Sequence, residues 1–136
     1  MKDWALILGA SSGIGAACAK ALAKEGINIY GLYLRKTQTE IDKLSKELTS
    51  YGVNVILKKA NASNELSREK IIAELLKIKQ IRIKMFIHSV AFGALKPMIG
   101  NDGVLNKKNI EMTQEVMCNN LIYWAQGLYK NKLLLN

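Results

Sequence analysis

The sequence holds few of the residues on which disulfide frameworks, metal sites and membrane anchors depend. Of its 136 residues, two are cysteine, one is histidine and one is proline. Cys18 and Cys118 lie far apart without a pairing pattern, so they read as reduced, mostly buried thiols of a cytoplasmic protein. His88 stands alone, with no Cys or acidic cluster at ligand spacing, which excludes a zinc site and leaves no metal expected. No apolar run approaches the roughly 20 residues of a membrane span. The leading run Trp4 to Leu8 is shorter than the roughly 7–15 residues of a secretory core, and Asp3 precedes it, so no leader is read here. Aromatic residues make up only 7% of the chain, and none is interleaved with basic residues as a base-stacking surface requires. The formal charge of +9 is spread over single residues and pairs such as Lys58-Lys59 and Lys107-Lys108, among Glu65, Glu69 and Glu74. That is the pattern of a solvated surface, and no nucleic-acid partner is expected from it.

What is present is enough apolar residue, 49%, to build one folded domain over 1–136. Trp4 to Leu8 reads as a strand, Ala16 to Glu25 as a helix stopped by Gly26, and Ile27 to Leu34 as a second, buried strand. Thr37 and Glu40 have capping-box spacing before a helix carrying Ile41, Leu44, Leu48 and Tyr51, closed by Gly52. A third strand is expected over 54–60, then a helix over 65–79 with Leu66, Ile72, Leu75 and Leu76 on its apolar side. A fourth strand follows over 85–89, then a long loop over 93–108 and a last helix over 110–130. Strands alternating with helices predict parallel pairing through right-handed crossovers, hence an α/β fold with a doubly wound parallel sheet. Ligands of such sheets sit beyond the carboxyl ends of the strands, where Gly9, Arg35, Asn61 and Ser89 fall.

Between the first strand and helix lies Gly9-Ala10-Ser11-Ser12-Gly13-Ile14-Gly15. Glycines let a backbone turn tightly and approach a pyrophosphate, while free N–H groups and the positive end of the helix dipole face the anion. A tight turn with no ligand is the plain alternative, since glycine often only punctuates loops. Arg35-Lys36 at the end of the second strand stands where a carboxylate would bind the ribose hydroxyls of NAD. A cation there suits a 2′-phosphate and predicts NADPH, against the alternative of a surface pair opening a loop. In the last helix Met112, Val116, Asn119 and Tyr123 form one stripe at spacings of four, three and four, so an amide interrupts an apolar face. Buried, that amide needs a partner. Ile110, Met117, Leu121, Trp124 and Leu128 form a second apolar face, which implies a larger core or an oligomer built through 110–130.

Taken in order, these segments resemble the short-chain dehydrogenase/reductase family, whose domain is a Rossmann-type doubly wound sheet. Gly9-Ala10-Ser11-Ser12-Gly13-Ile14-Gly15 is similar to the family's cofactor turn, which places Gly9, Ser11, Ser12, Gly13, Ile14 and Gly15 on phosphates. The resemblance puts Arg35 on the 2′-phosphate of NADP, Asn61 and Ala62 near adenine, and Ser89, Val90 and Ala91 along the ribose. His88-Ser89-Val90-Ala91-Phe92 resembles the variant found in enoyl-acyl-carrier-protein reductases, whereas the glycine turn follows the family's commoner branch. Asn119 aligns with the family's catalytic asparagine, which helps hold a water near the active-site lysine. The family's Tyr-x-x-x-Lys, which supplies the proton and part of the cofactor site, is not found before Asn136. Tyr129 and Lys132 are only three apart and are not that pair. The resemblance therefore implies the first four strands of a family domain and an NAD(P)H-dependent reductase of enoyl or 3-oxoacyl thioesters in fatty-acid synthesis, inactive as this segment alone. The alternative is a non-catalytic nucleotide-binding or interaction module that docks on a full-length partner. The fourth strand should be an open parallel edge, and Leu133-Leu134-Leu135 reads as the approach to a further strand.

Overall fold

The computed structural model describes residues 2–134. In chain order these form β1 (Lys2–Leu8), α1 (Gly13–Lys24), β2 (Asn28–Tyr33), α2 (Gln38–Thr49), β3 (Val55–Lys59), α3 (Glu65–Leu75) and β4 (Ile81–His88). A long helix follows in three parts: α4 (Lys107–Gln114), a π turn (Glu115–Asn119) and α5 (Asn120–Lys130). The four strands make one sheet in the order β3-β2-β1-β4, every pair parallel, as the alternation of strands and helices predicts.

From Trp4 to Leu8, β1 is apolar because both of its faces are covered. Trp4, Leu6 and Leu8 point into a core shared with Ile71, Ile72 and Leu75 of α3 and with Trp124 and Leu128 of α5. Ala5 and Ile7 point the other way, into a core with Ala19 and Ala23 of α1 and Leu44 and Leu48 of α2. A continuous apolar run is what a parallel strand buried on both sides needs, and the alternation of its side chains fills two cores at once. Asn28, buried at the entry of β2, ties three strands together. Its Nδ2 donates to the Asp3 carbonyl at 3.1 Å, and its Oδ1 accepts from the Asn54 amide N–H at 2.8 Å.

The α2 capping box forms as read, with the Glu40 N–H donating to Thr37 Oγ1 and the Thr37 N–H donating to Glu40 Oε2. Two expectations are corrected. In α3, Leu66 and Leu76 are exposed and Ile71 joins Ile72 and Leu75 in the core, because a helix of this length can bury only one stripe. In the last helix, Ile110, Met117 and Leu121 are exposed while Trp124 and Leu128 are fully buried, so the five do not share one covered face.

The fourth strand is an edge of the sheet, as expected, but it is not bare along its whole length. The Ile83 N–H donates to the Leu133 carbonyl at 2.8 Å, and Leu134 forms a parallel bridge with Ile83. The chain after α5 thus returns beside the entry of β4, in the place of a fifth strand. Leu135, the remainder of that reading, lies outside the described residues.

Candidate functional site

The exits of all four strands converge on one cleft of about 360 Å³. It is lined by Gly9 after β1, Tyr33 to Arg35 at the end of β2, Ala60 to Ser63 after β3, and Ser89 to Phe92 after β4, with Val116 of the π turn. Gly9, Arg35, Asn61, Ala62, Ser89, Val90 and Ala91 are therefore brought together as the sequence predicts. Ser11, Ser12, Gly13, Ile14 and Gly15 do not line this cleft. They lie on the turn after Gly9 and in the first turn of α1, with Ser12, Gly13 and Ile14 exposed.

The turn is built for backbone proximity. The Gly9 and Ala10 N–H groups both donate to the Leu32 carbonyl, at 3.0 and 2.9 Å, and the Ser89 N–H donates to the Leu8 carbonyl at 2.8 Å. Gly9 has φ +82°, and a Cβ there would overlap the Ser89 carbonyl oxygen. A Cβ at Gly15 would overlap the Gly9 carbonyl oxygen, so both glycines are required by packing whatever the turn binds.

The start of α1 differs from the other helix starts. Thr37, Asn64 and Asn106 each cap the following helix with a side-chain oxygen, whereas Ser12 makes no side-chain cap hydrogen bond and no acidic residue stands in the first turn. The first N–H groups of α1 are left without a side-chain acceptor, beside an exposed Ile14. A phosphate group fits this arrangement, because it supplies both the acceptors and the negative charge that the helix end lacks.

At the β2 exit the basic pair divides. Lys36 Nζ is 3.0 Å from Glu40 Oε1 and is thereby neutralised. Arg35 has no carboxylate partner among the described residues and lies over the ring of Phe92, with its Cζ 4.7 Å from the ring centroid. The uncommitted cation of the pair is the one that lines the cleft. At the β3 exit, Asn61 Oδ1 already accepts from the Ser63 N–H at 3.0 Å, so only its second lone pair remains for an adenine amino group. The Ala62 carbonyl accepts from buried Trp124 Nε1 at 2.8 Å, which fixes this wall to α5.

The stripe read through Asn119 is corrected by one residue. Asn119 is part exposed, and its Nδ2 donates to Glu115 Oε2 at 2.8 Å. Asn120 is 2% exposed, its Nδ2 lies 3.2 Å from His88 Nε2, and its Oδ1 has no hydrogen-bond partner among the described residues. The cause is the π turn. It inserts one extra residue into the helix, so the stripe through Met112 and Val116 continues through Asn120, Trp124 and Leu128 rather than through Asn119 and Tyr123. His88 takes part in the same device. Burial pushes its pKa below the usual imidazole value, against the backbone carbonyls of His88 and Val116, which favour the charged form. With Asn120 Nδ2 donating, the neutral ring carries its proton on Nδ1.

Sequence reasoning missed Phe92 as the partner of Arg35, and Asn120 as the residue the π turn brings into the interior. The Asn119-Asn120 pair was the available signal for the last of these.

Comparison with known proteins agrees with this geometry. The family profile described as "Enoyl-(Acyl carrier protein) reductase" matches residues 9–134. A very-long-chain 3-oxoacyl-CoA reductase of Pyrenophora tritici-repentis is 45% identical over 56 residues, covering 40% of this chain and 16% of that protein. A 7beta-hydroxysteroid dehydrogenase of Mediterraneibacter gnavus is 33% identical over 72 residues, covering 52% of this chain and 27% of that protein. A solved 3-oxoacyl-[acyl-carrier protein] reductase from Brucella melitensis, in complex with NAD, shares the fold with a TM-score of 0.79 at 22% identity. That match covers 98% of this chain and 50% of the solved one. YwfH, an NADPH dependent reductase involved in bacilysin biosynthesis, gives a TM-score of 0.81 at 20% identity, over 98% of this chain and 54% of its own. The chain thus spans about half the length of the solved structures it matches, and its matches to the curated relatives cover less than a third of theirs.

Proposed function

This chain belongs to the short-chain dehydrogenase/reductase family, and from that membership we propose that it is the dinucleotide-binding part of an NADPH-dependent reductase of enoyl or 3-oxoacyl thioesters. The observation that carries the reading is the single cleft at four strand exits, beside a helix start left without a side-chain cap. Gly9 and Gly15 let the turn close, and the α1 N–H groups with Ser11, Ser12, Gly13 and Ile14 face the pyrophosphate. Arg35 reads the 2′-phosphate as the unpaired cation at the mouth, Asn61 and Ala62 border the adenine, and Ser89, Val90 and Ala91 run along the ribose. The preference for NADPH over NADH rests on Arg35. NADPH, when bound, supplies the hydride for reduction.

Asn120 replaces Asn119 as the asparagine with a site role. An amide buried beside His88 with an unpaired acceptor is the group able to order a water or a catalytic side chain, whereas the Asn119 amide is engaged by Glu115. No tyrosine of this sequence is followed four positions later by lysine, so the proton donor is not among these residues. The same observation favours a second reading, a nucleotide-binding module without turnover of its own. The substrate class follows the family description and the 3-oxoacyl reductases among the relatives. The proposal extends to a cytoplasmic location and a homo-oligomer formed through 110–130. Among the described residues no helix is long and apolar enough to cross a membrane.

The test is binding and turnover measured together. Micromolar NADPH binding without oxidation of NADPH by enoyl or 3-oxoacyl thioesters is expected of the 136-residue chain. Turnover by it would contradict the missing donor, and failure to bind any dinucleotide would remove the reading.

A further inference from the structure

We propose that Phe92 is a positioning residue for 2′-phosphate recognition, acting through Arg35; the inference rests on Arg35 being the group that meets that phosphate. A guanidinium offers two different surfaces. Its flat face is attracted to an aromatic ring, while its N–H donors lie in its plane and point outward. Arg35 Cζ lies over the Phe92 ring, 4.7 Å from its centroid, and a guanidinium held there with its face to the ring keeps its in-plane donors for two parallel bonds to a phosphate. Stacking and anion binding therefore do not compete; stacking selects the orientation that anion binding uses.

Phe92 is itself held in place. A Cβ at Gly93 would press into the Thr113 side chain, which marks close contact between this loop and α4. The Ala94 N–H donates to Thr113 Oγ1 at 3.0 Å, and Thr113 Oγ1 donates to the Asn109 carbonyl at 2.8 Å. The loop after β4 is thus pinned to α4 at the two residues that follow Phe92, and the ring meets a side chain on β2's exit. The nearby Glu40 does not compete for Arg35, since it is paired with Lys36.

Adenosine 2′,5′-bisphosphate and 5′-AMP, which differ by the 2′-phosphate alone, provide the test by calorimetric titration of the full chain and its variants. Phe92→Ala and Phe92→Leu should weaken the bisphosphate about twofold to fivefold, the equivalent of the ~0.5–1 kcal/mol of an exposed cation–π pair. Binding of 5′-AMP should stay unchanged, which also reports that the site is folded, and Phe92→Tyr should restore the bisphosphate. Equal weakening of both nucleotides would make Phe92 a simple adenine wall, and tighter bisphosphate binding would mean that the ring withholds Arg35; either result overturns the inference. Arg35→Ala should abolish the preference for the bisphosphate. If that preference survives in Arg35→Ala, the reading of Arg35 itself falls, whereas its loss in Arg35→Ala with no change in Phe92→Ala sinks only the role of Phe92.

Discussion

Asn119 and Asn120 are identical in chemistry and adjacent in sequence, yet only one is built into the interior. Replacing Asn120 by alanine leaves His88 Nε2 without its partner and opens a small void, which should cost about 1–3 kcal/mol. Asn119→Ala breaks only a surface bond to Glu115 and should stay within ~0.5 kcal/mol. Denaturant unfolding of the two variants checks the assignment. His88 adds a pH signature. Its folded pKa is lowered by burial below the ordinary value of 6.5, so between the two values the unfolded chain binds more protons. Its contribution is complete above pH 6.5 and is lost as pH falls through the folded pKa. Melting temperatures of the wild type should therefore decline from just below pH 6.5, and His88→Gln should flatten that decline. The losses of the carboxylates Asp3 and Glu74, whose pKa values are lowered by cationic partners, come at more acid pH.

At the scale of elements, the helix starts divide into those that cap themselves and one that does not. Thr37→Ala removes a formed capping box and should cost about 1 kcal/mol of stability. Ser12→Ala removes no side-chain cap bond and should leave the stability of the unliganded chain within ~0.5 kcal/mol. Thermal melts of both variants test the contrast. The order of elements, the parallel sheet and the cleft at the strand exits were legible in the sequence because glycine turns, the Thr37-Glu40 spacing and buried apolar runs are local signals. The π turn was not legible. It leaves no local mark, and a 3.6-residue period carried straight through it lands on Asn119. Phe92 was missed for a related reason, since nothing within the loop after β4 reveals that its neighbour lies on the exit of β2.

For the whole molecule, a ligand that bridges four strand exits should bind the folded chain alone and stabilise it by mass action. NADPH at 100 times its dissociation constant should add ~2.7 kcal/mol, seen as a rise in melting temperature that NADH at equal concentration does not match. An unchanged melting temperature at saturating NADPH would count against the cleft as a cofactor site. The sheet to which those exits belong is fastened unevenly. Leu133 and Leu134 clasp β4 only at Ile83, near its entry, while β4's outer side toward His88 has no strand partner among the described residues. In heavy water this unevenness becomes a clock: outward amides of residues 85–88 should take up deuterium well before those of β1, flanked on both sides. The end of the sheet that opens first is then the end that holds the nucleotide, and occupancy of the cleft should be readable as slowed labelling there.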